Sequence, residues 1–118
     1  MDTVSNYTET LEKTIRDLLE RQDDLIRTAF TDELTGLGNR GGFTRSLEEL
    51  WEQELPVTMA FIDIDNLKHC NDIFGHDEGN RYILQVSLYL KLYMKVDEAA
   101  FRLGGDEFAI LSTIATED

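Results

Sequence analysis

The chain has one proline and one cysteine in 118 residues, and cations are scarce, with 11 Lys and Arg against 24 Asp and Glu. Each shortage excludes something. A single cysteine, Cys70, rules out an internal disulfide and suits a reducing compartment; it reads as a small, buried or half-buried apolar residue. A net charge of −13 argues against nonspecific binding to nucleic acid or to an anionic membrane surface. It also disfavours a bare polyphosphate, so a polyphosphate ligand would need a bound cation to reverse the local field. No apolar run reaches the eighteen or so residues of a membrane span, and the opening residues lack the pattern of a secretory leader. A cytoplasmic protein without a membrane contact of its own is the expectation. There is no internal repeat and no low-complexity stretch, and a 42% apolar content is enough for one modest core.

The richest segment is Arg102-Leu103-Gly104-Gly105-Asp106-Glu107-Phe108. Its flanks, Ala99–Leu103 and Phe108–Ser112, read as strands, which places two glycines and two carboxylates at a hairpin tip. A Gly-Gly turn lets backbone approach a bulky ligand, because no Cβ intervenes. Adjacent carboxylates beside that opening suit a hard cation and a phosphate. An ordinary acidic surface hairpin is the alternative. A second element favours the ligand. Val57–Ile64 is a nearly continuous apolar run after Pro56, the pattern of a central strand covered on both faces. Asp63 and Asp65 stand at its C-terminal end, where α/β sheets bind ligands and where a carboxylate is costly without a metal or a partner. Asp65 has a structural alternative as the cap of the following helix.

The stretch Asn66–Asn80 holds two glycines, two histidines and three asparagines, poor material for a plain core helix. His69 reads as solvent-facing. Helices are expected over Gly42–Leu55, with Phe43, Leu47, Leu50 and Trp51 on one face, and over Glu78–Lys95, with Ile83, Val86, Leu90 and Met94 as the stripe. Both stripes read as core. Residues 1–30 form a separate unit. Val4, Thr8, Leu11, Ile15, Leu18, Gln22, Leu25 and Ala29 recur at alternating four- and three-residue steps, a heptad seam that favours a parallel dimeric coiled coil over one amphipathic helix packed on its own domain. The helix should end near Ala29-Phe30, and the loop Asp32–Arg40 should brace the domain.

Four motifs now stand in order: Asp32-Glu33-Leu34-Thr35-Gly36-Leu37-Gly38-Asn39-Arg40, Phe61-Ile62-Asp63-Ile64-Asp65, Asn71-Asp72-Ile73-Phe74-Gly75-His76, and Arg102 to Phe108. Together they resemble the GGDEF family of diguanylate cyclases, over about residues 30 to 114. The resemblance implies an α+β fold, an α/β sandwich of the nucleotide-cyclase, ferredoxin-like palm type. The chain would supply a β-α-β-β portion of it as a partial GGDEF domain, 31–118, behind a coiled-coil signalling helix, 1–30. It implies condensation of two GTP, one on each of two facing domains, to cyclic di-GMP with Mg²⁺ (or Mn²⁺).

By position, Asp63, the Ile64 carbonyl and Asp106 would hold the metal. Asp106 or Glu107 would help deprotonate the ribose 3′-hydroxyl, and Lys68 would sit near the phosphates. Asn71, His76 and Asn80 occupy substrate-binding positions, and Gly104 and Gly105 would let the nucleotide lie against the backbone. A homodimer through the N-terminal helix and an upstream sensor domain would be the partners, with no nucleic acid among them.

Three departures from the family pattern matter. Asn80 stands where the family usually has an aspartate reading guanine. An amide offers one acceptor and one donor where guanine asks for two acceptors, so base selectivity should relax, with a mixed cyclic dinucleotide as one outcome. Lys95-Val96-Asp97-Glu98 replaces the inhibitory Arg-x-x-Asp, so product inhibition should be weak. The family fold continues beyond the hairpin, which would leave one sheet face and one edge uncovered, so the expectation is either a truncated, inactive form of a cyclase or an assembly in which another chain covers the gap, with a noncatalytic dimerisation module as the alternative function.

Overall fold

The computed structural model describes residues 3–113. Helix α1, Thr3–Phe30, is followed by α2, Arg40–Glu52, strand β1, Thr58–Asp63, helices α3, Leu67–Phe74, and α4, His76–Tyr93, and the hairpin β2, Glu98–Arg102, with β3, Glu107–Ser112. The sheet is antiparallel in the order β1-β3-β2. The fold is α+β, the partial palm expected, with two helices rather than one between β1 and β2.

The period-2 alternation of the strands sorts their side chains onto two faces. On one face Phe61 and Phe101 flank Ala109 across the sheet, and Phe43 of α2 meets both rings edge-on, at 6.0 Å and 5.5 Å between centroids. On the other, fully buried Phe108 packs with Ile64, Leu67 and Ile83, backed by Ile62, Val86, Leu90 and Ala100. The sheet thus lies between α2 and the α3–α4 pair. Of the expected α4 stripe, Ile83 is core and Val86 and Leu90 pack against it, while Met94 lies past the helix end as its C-cap and outside the cluster.

The connection after α1 is built from its own polar groups. The Asp32 carboxylate accepts from the Thr35 backbone N–H and hydroxyl, while Gly36 turns at φ +75° and donates to the Asp32 carbonyl. Arg102 Nη1 meets Asp32 Oδ1 at 3.2 Å, with both side chains more than four-fifths buried. Lys91 Nζ donates to the Thr35 carbonyl. Asn39 then caps α2, accepting from the Gly42 N–H at 2.9 Å, and its amide donates back to the Ala29 carbonyl of α1 at 3.0 Å. The brace expected of Asp32–Arg40 is present, and α1 ends at Phe30 as expected.

Four sequence expectations are corrected. The segment Asn66–Asn80 does contain a helix, α3, because Gly75 (φ +90°) makes a sharp corner and Gly79 lets α4 approach Asn71. Asp65 does not cap that helix: Asn66 stands at the N-cap position in the left-handed region, with no side-chain cap bond. Among the described residues β1 is an edge strand rather than a central one, and Phe61 keeps 65% of its surface exposed. An apolar run states what a strand is made of, not how many neighbours cover it. Trp51 is 82% exposed, because it lies one step past Leu50 and out of the stripe that faces the sheet.

Helix α1 has no buried residue. The radius of gyration, 20.1 Å, and the extents of 66 × 43 × 21 Å reflect its projection from a body that would otherwise measure about 13 Å in radius of gyration. No helix among the described residues is long and apolar enough to cross a membrane.

Candidate functional site

The acidic site is a consequence of sheet register. Asp63, last in β1, is paired directly with Glu107, first in β3. The ladder then runs one step further, with the Ile64 N–H donating to the Asp106 carbonyl at 2.8 Å. This draws the end of β1 and the hairpin tip together, and one carboxylate oxygen from each of Asp63, Asp106 and Glu107 lies within 4.8 Å of the others. All three side chains are exposed. Like charges directly opposite in a sheet are destabilising. Three in one place call for a counter-charge, and a set of hard oxygen donors suits Mg²⁺ or Mn²⁺. Asp63 and Asp106, two of the ligands that the family resemblance implies for Mg²⁺ (or Mn²⁺), thus lie in one cluster of hard oxygen donors.

Part of the counter-charge comes from the protein. Arg40, the first residue of α2, places Nη2 3.7 Å from Glu107 Oε2. Nothing in the sequence beyond its motif marks Arg40 for this site: its partner is 67 residues away, and only the fold brings α2 to the acidic end of the sheet. The same holds for Arg102. It anchors Asp32 and donates through Nη2 to the Gly105 carbonyl at 3.3 Å, which ties the brace to the hairpin tip.

Beside the tip lies an open cleft of about 360 Å³, lined by Asp32, Asn39, Arg40, Gly41 and residues 102–105. Gly104 and Gly105 face empty space: a Cβ on either would meet nothing within 4 Å. Neither has the positive φ of a primed hairpin turn, since Gly36 and Gly75 are the glycines with positive φ among the described residues. Leu103 to Asp106 form a four-residue connection instead, with the Leu103 N–H donating to the Glu107 carbonyl. The conformational reason for Gly-Gly is thereby removed, and the steric one stands.

The other expected site residues lie on α3 and α4. Lys68, His76 and Asn80 are exposed, as is His69. Asn71 is half-buried, and its Oδ1 is buried without a hydrogen-bond partner. That oxygen presses on Gly79, where a Cβ would stand only 1.6 Å from it, so Asn71 meets the residue that precedes Asn80. Among the described residues, no hydrogen bond or ion pair joins this group to the acidic triad. Cys70 is half-buried, as its type suggests.

In the segment that replaces the inhibitory motif, Glu98 Oε1 accepts from the Lys95 backbone N–H at 3.0 Å, so the carboxylate is turned onto its own turn.

Comparison with known proteins agrees with this geometry. The family model described as "Diguanylate cyclase, GGDEF domain" matches residues 29–118. Diguanylate cyclase DgcP of Escherichia coli is 38% identical over 105 residues, which is 86% of this chain and 31% of that protein. Response regulator PleD of Caulobacter vibrioides is 37% identical over 93 residues, 75% of this chain and 20% of that one. The chain thus spans less than a third of the length of either relative. Among solved structures, the coiled coil and GGDEF domain of DgcB from Caulobacter crescentus, in complex with c-di-GMP, superposes with a TM-score of 0.85 at 28% identity, covering 97% of this chain and 62% of that one. A sheet register that gathers three carboxylates, an open Gly-Gly tip and a matching family model over most of the sequence have one reading: this chain belongs to the GGDEF family of diguanylate cyclases.

Proposed function

We propose that this domain acts as a diguanylate cyclase in the cytoplasm, condensing two GTP to cyclic di-GMP and two pyrophosphates, as a homodimer joined through α1. The observation that carries the reading is the convergence of the Asp63, Asp106 and Glu107 carboxylates beside an open glycine tip. Mg²⁺ or Mn²⁺ held by Asp63, Asp106 and the Ile64 carbonyl would neutralise the triphosphate. The chain's own groups do the rest. Gly104 and Gly105 leave room for the nucleotide to lie against the backbone. Asp106 or Glu107 accepts the proton of the ribose 3′-hydroxyl as it attacks the α-phosphorus of the facing nucleotide. Lys68 balances charge on the phosphates, while Asn71, His76 and Asn80 hold the nucleoside.

Product chromatography after incubation with GTP and Mg²⁺ tests this. Cyclic di-GMP is expected and is lost with Asp63→Asn or Glu107→Gln. Absence of GTP binding in the presence of Mn²⁺ would overturn it.

Asn80 favours one refinement. With a single acceptor toward the base, it discriminates less against adenine than a carboxylate does. In a GTP–ATP competition the native protein should form mixed product, and Asn80→Asp should raise the preference for GTP by about tenfold, the worth of one good hydrogen bond. The turned-in Glu98 and the replacement of arginine by Lys95 support weak product inhibition. Cyclic di-GMP should not bind tightly to the isolated chain.

A further inference from the structure

We propose that Arg40 is a positioning residue that competes with the cation for Glu107 and so sets the affinity of the acidic site. The inference rests on the proposed reading of Asp63 and Asp106 as cation ligands, and adds Glu107 to the donor set because its carboxylate oxygen lies within 4.8 Å of theirs. Arg40 Nη2 and Glu107 Oε2 are 3.7 Å apart, with 68% and 52% of their side chains exposed. A pair so open to water adds little stability, so its consequence is local. Among the described residues Arg40 makes the one ion pair with the triad.

The backbone that carries it is held in place. Arg40 follows Asn39, whose side chain caps α2 through the Gly42 N–H and holds the Ala29 carbonyl, and whose N–H donates to the Phe30 carbonyl at 3.0 Å. The guanidinium therefore springs from a backbone fixed on both sides. Glu107 in turn is fixed by register opposite Asp63. One Glu107 oxygen already faces a guanidinium, so a cation at the triad meets a carboxylate that is partly neutralised and held in direction.

Removing the guanidinium deepens the negative potential at the triad and releases Glu107. For an exposed charge in screened solvent, the gain in affinity for a divalent ion is about threefold. The measurement is titration of the whole chain with Mn²⁺ alone, free ion being counted by its electron paramagnetic resonance signal. Arg40→Ala should bind Mn²⁺ about threefold more tightly than the native chain, and Arg40→Lys, which keeps the charge, should return most of the way. In a Glu107→Gln background, Arg40→Ala should lose most of its effect. Circular dichroism melting should show little change, since the side chain is exposed.

Native-like or weaker Mn²⁺ binding by Arg40→Ala overturns the proposal and leaves the cation site intact. An undiminished Arg40→Ala effect in the Glu107→Gln background also overturns it, because the guanidinium would then act on the site without Glu107. A native chain that shows no Mn²⁺ binding removable by Asp63→Asn overturns the site itself, and the proposal with it.

Discussion

Glycine does opposite things at different places in this chain, and the difference predicts which substitutions hurt folding and which hurt function. At Gly79 a methyl group would collide with the Asn71 amide, and at Gly42 it would stand 2.5 Å from the Phe30 carbonyl. The second obstacle is backbone and cannot swing aside. At Gly104 nothing stands in the way and no positive φ is needed. Gly104→Ala should therefore change stability by no more than about 0.5 kcal/mol, the range of surface substitutions, while it weakens nucleotide binding by filling the space the substrate would use. Gly42→Ala should cost about 1–3 kcal/mol, because the Phe30 carbonyl that its methyl group would meet is backbone and the start of α2 would have to shift. Thermal melts paired with calorimetry of a nonhydrolysable GTP analogue separate the two. A Gly104→Ala variant that binds the analogue as the native chain does would remove the steric argument for the tip.

At the scale of elements, the brace between α1 and the sheet is the feature whose loss should be felt furthest. Asp32 receives the Thr35 N–H and hydroxyl and pairs with Arg102, and the pair is largely screened from water. Arg102 Nε is already buried without a partner, so deleting Asp32 leaves a mostly buried cation with less compensation still. Asp32→Ala should destabilise the domain by about 3 kcal/mol, seen as a lower midpoint in urea. Replacing Asp32 together with Arg102 by apolar residues should recover part of the loss. If Asp32→Ala melts like the native chain, the connection is held by its backbone alone.

Elements with strong local signals were legible in the sequence: the hairpin around the glycine pair, the strand ending at Asp63, and the apolar stripe of α4. The acidic site was legible too, because its members are named by strand ends and a turn. Helix α3 was not, since half of its eight residues are polar and its existence depends on two glycines, Gly75 to turn the corner and Gly79 to permit contact. Trp51 misled because residue type outweighed a step of about 100° around the helix. Arg40 carried no signal, since an ion pair across 67 residues is a property of the packed sheet and helix.

The whole molecule presents a long helix that buries none of its own apolar residues. Val4, Leu11, Ile15, Leu18 and Leu25 line α1, and each keeps more than half of its surface exposed. An isolated helix gains little in water from such a stripe, because most helical stability comes from burying one face. The seam repeats at heptad spacing, and none of the described residues buries Leu11, Ile15, Leu18 or Leu25, which favours a second copy as the occupant over a fold-back onto the domain. The proposed condensation would bring two domains face to face, and a paired α1 would turn that meeting from a bimolecular event into an intramolecular one, at an effective concentration in the millimolar range for short tethers. Leu18→Asp, which places a carboxylate in the middle of the seam, should convert a dimer to a monomer in analytical ultracentrifugation while leaving the melting of the α+β body unchanged. It should also make the rate of product formation rise with the square of protein concentration, where the native protein's rate rises linearly. A native chain that sediments as a monomer throughout the micromolar range would instead assign the stripe to a different partner and leave the two active domains to find each other by diffusion.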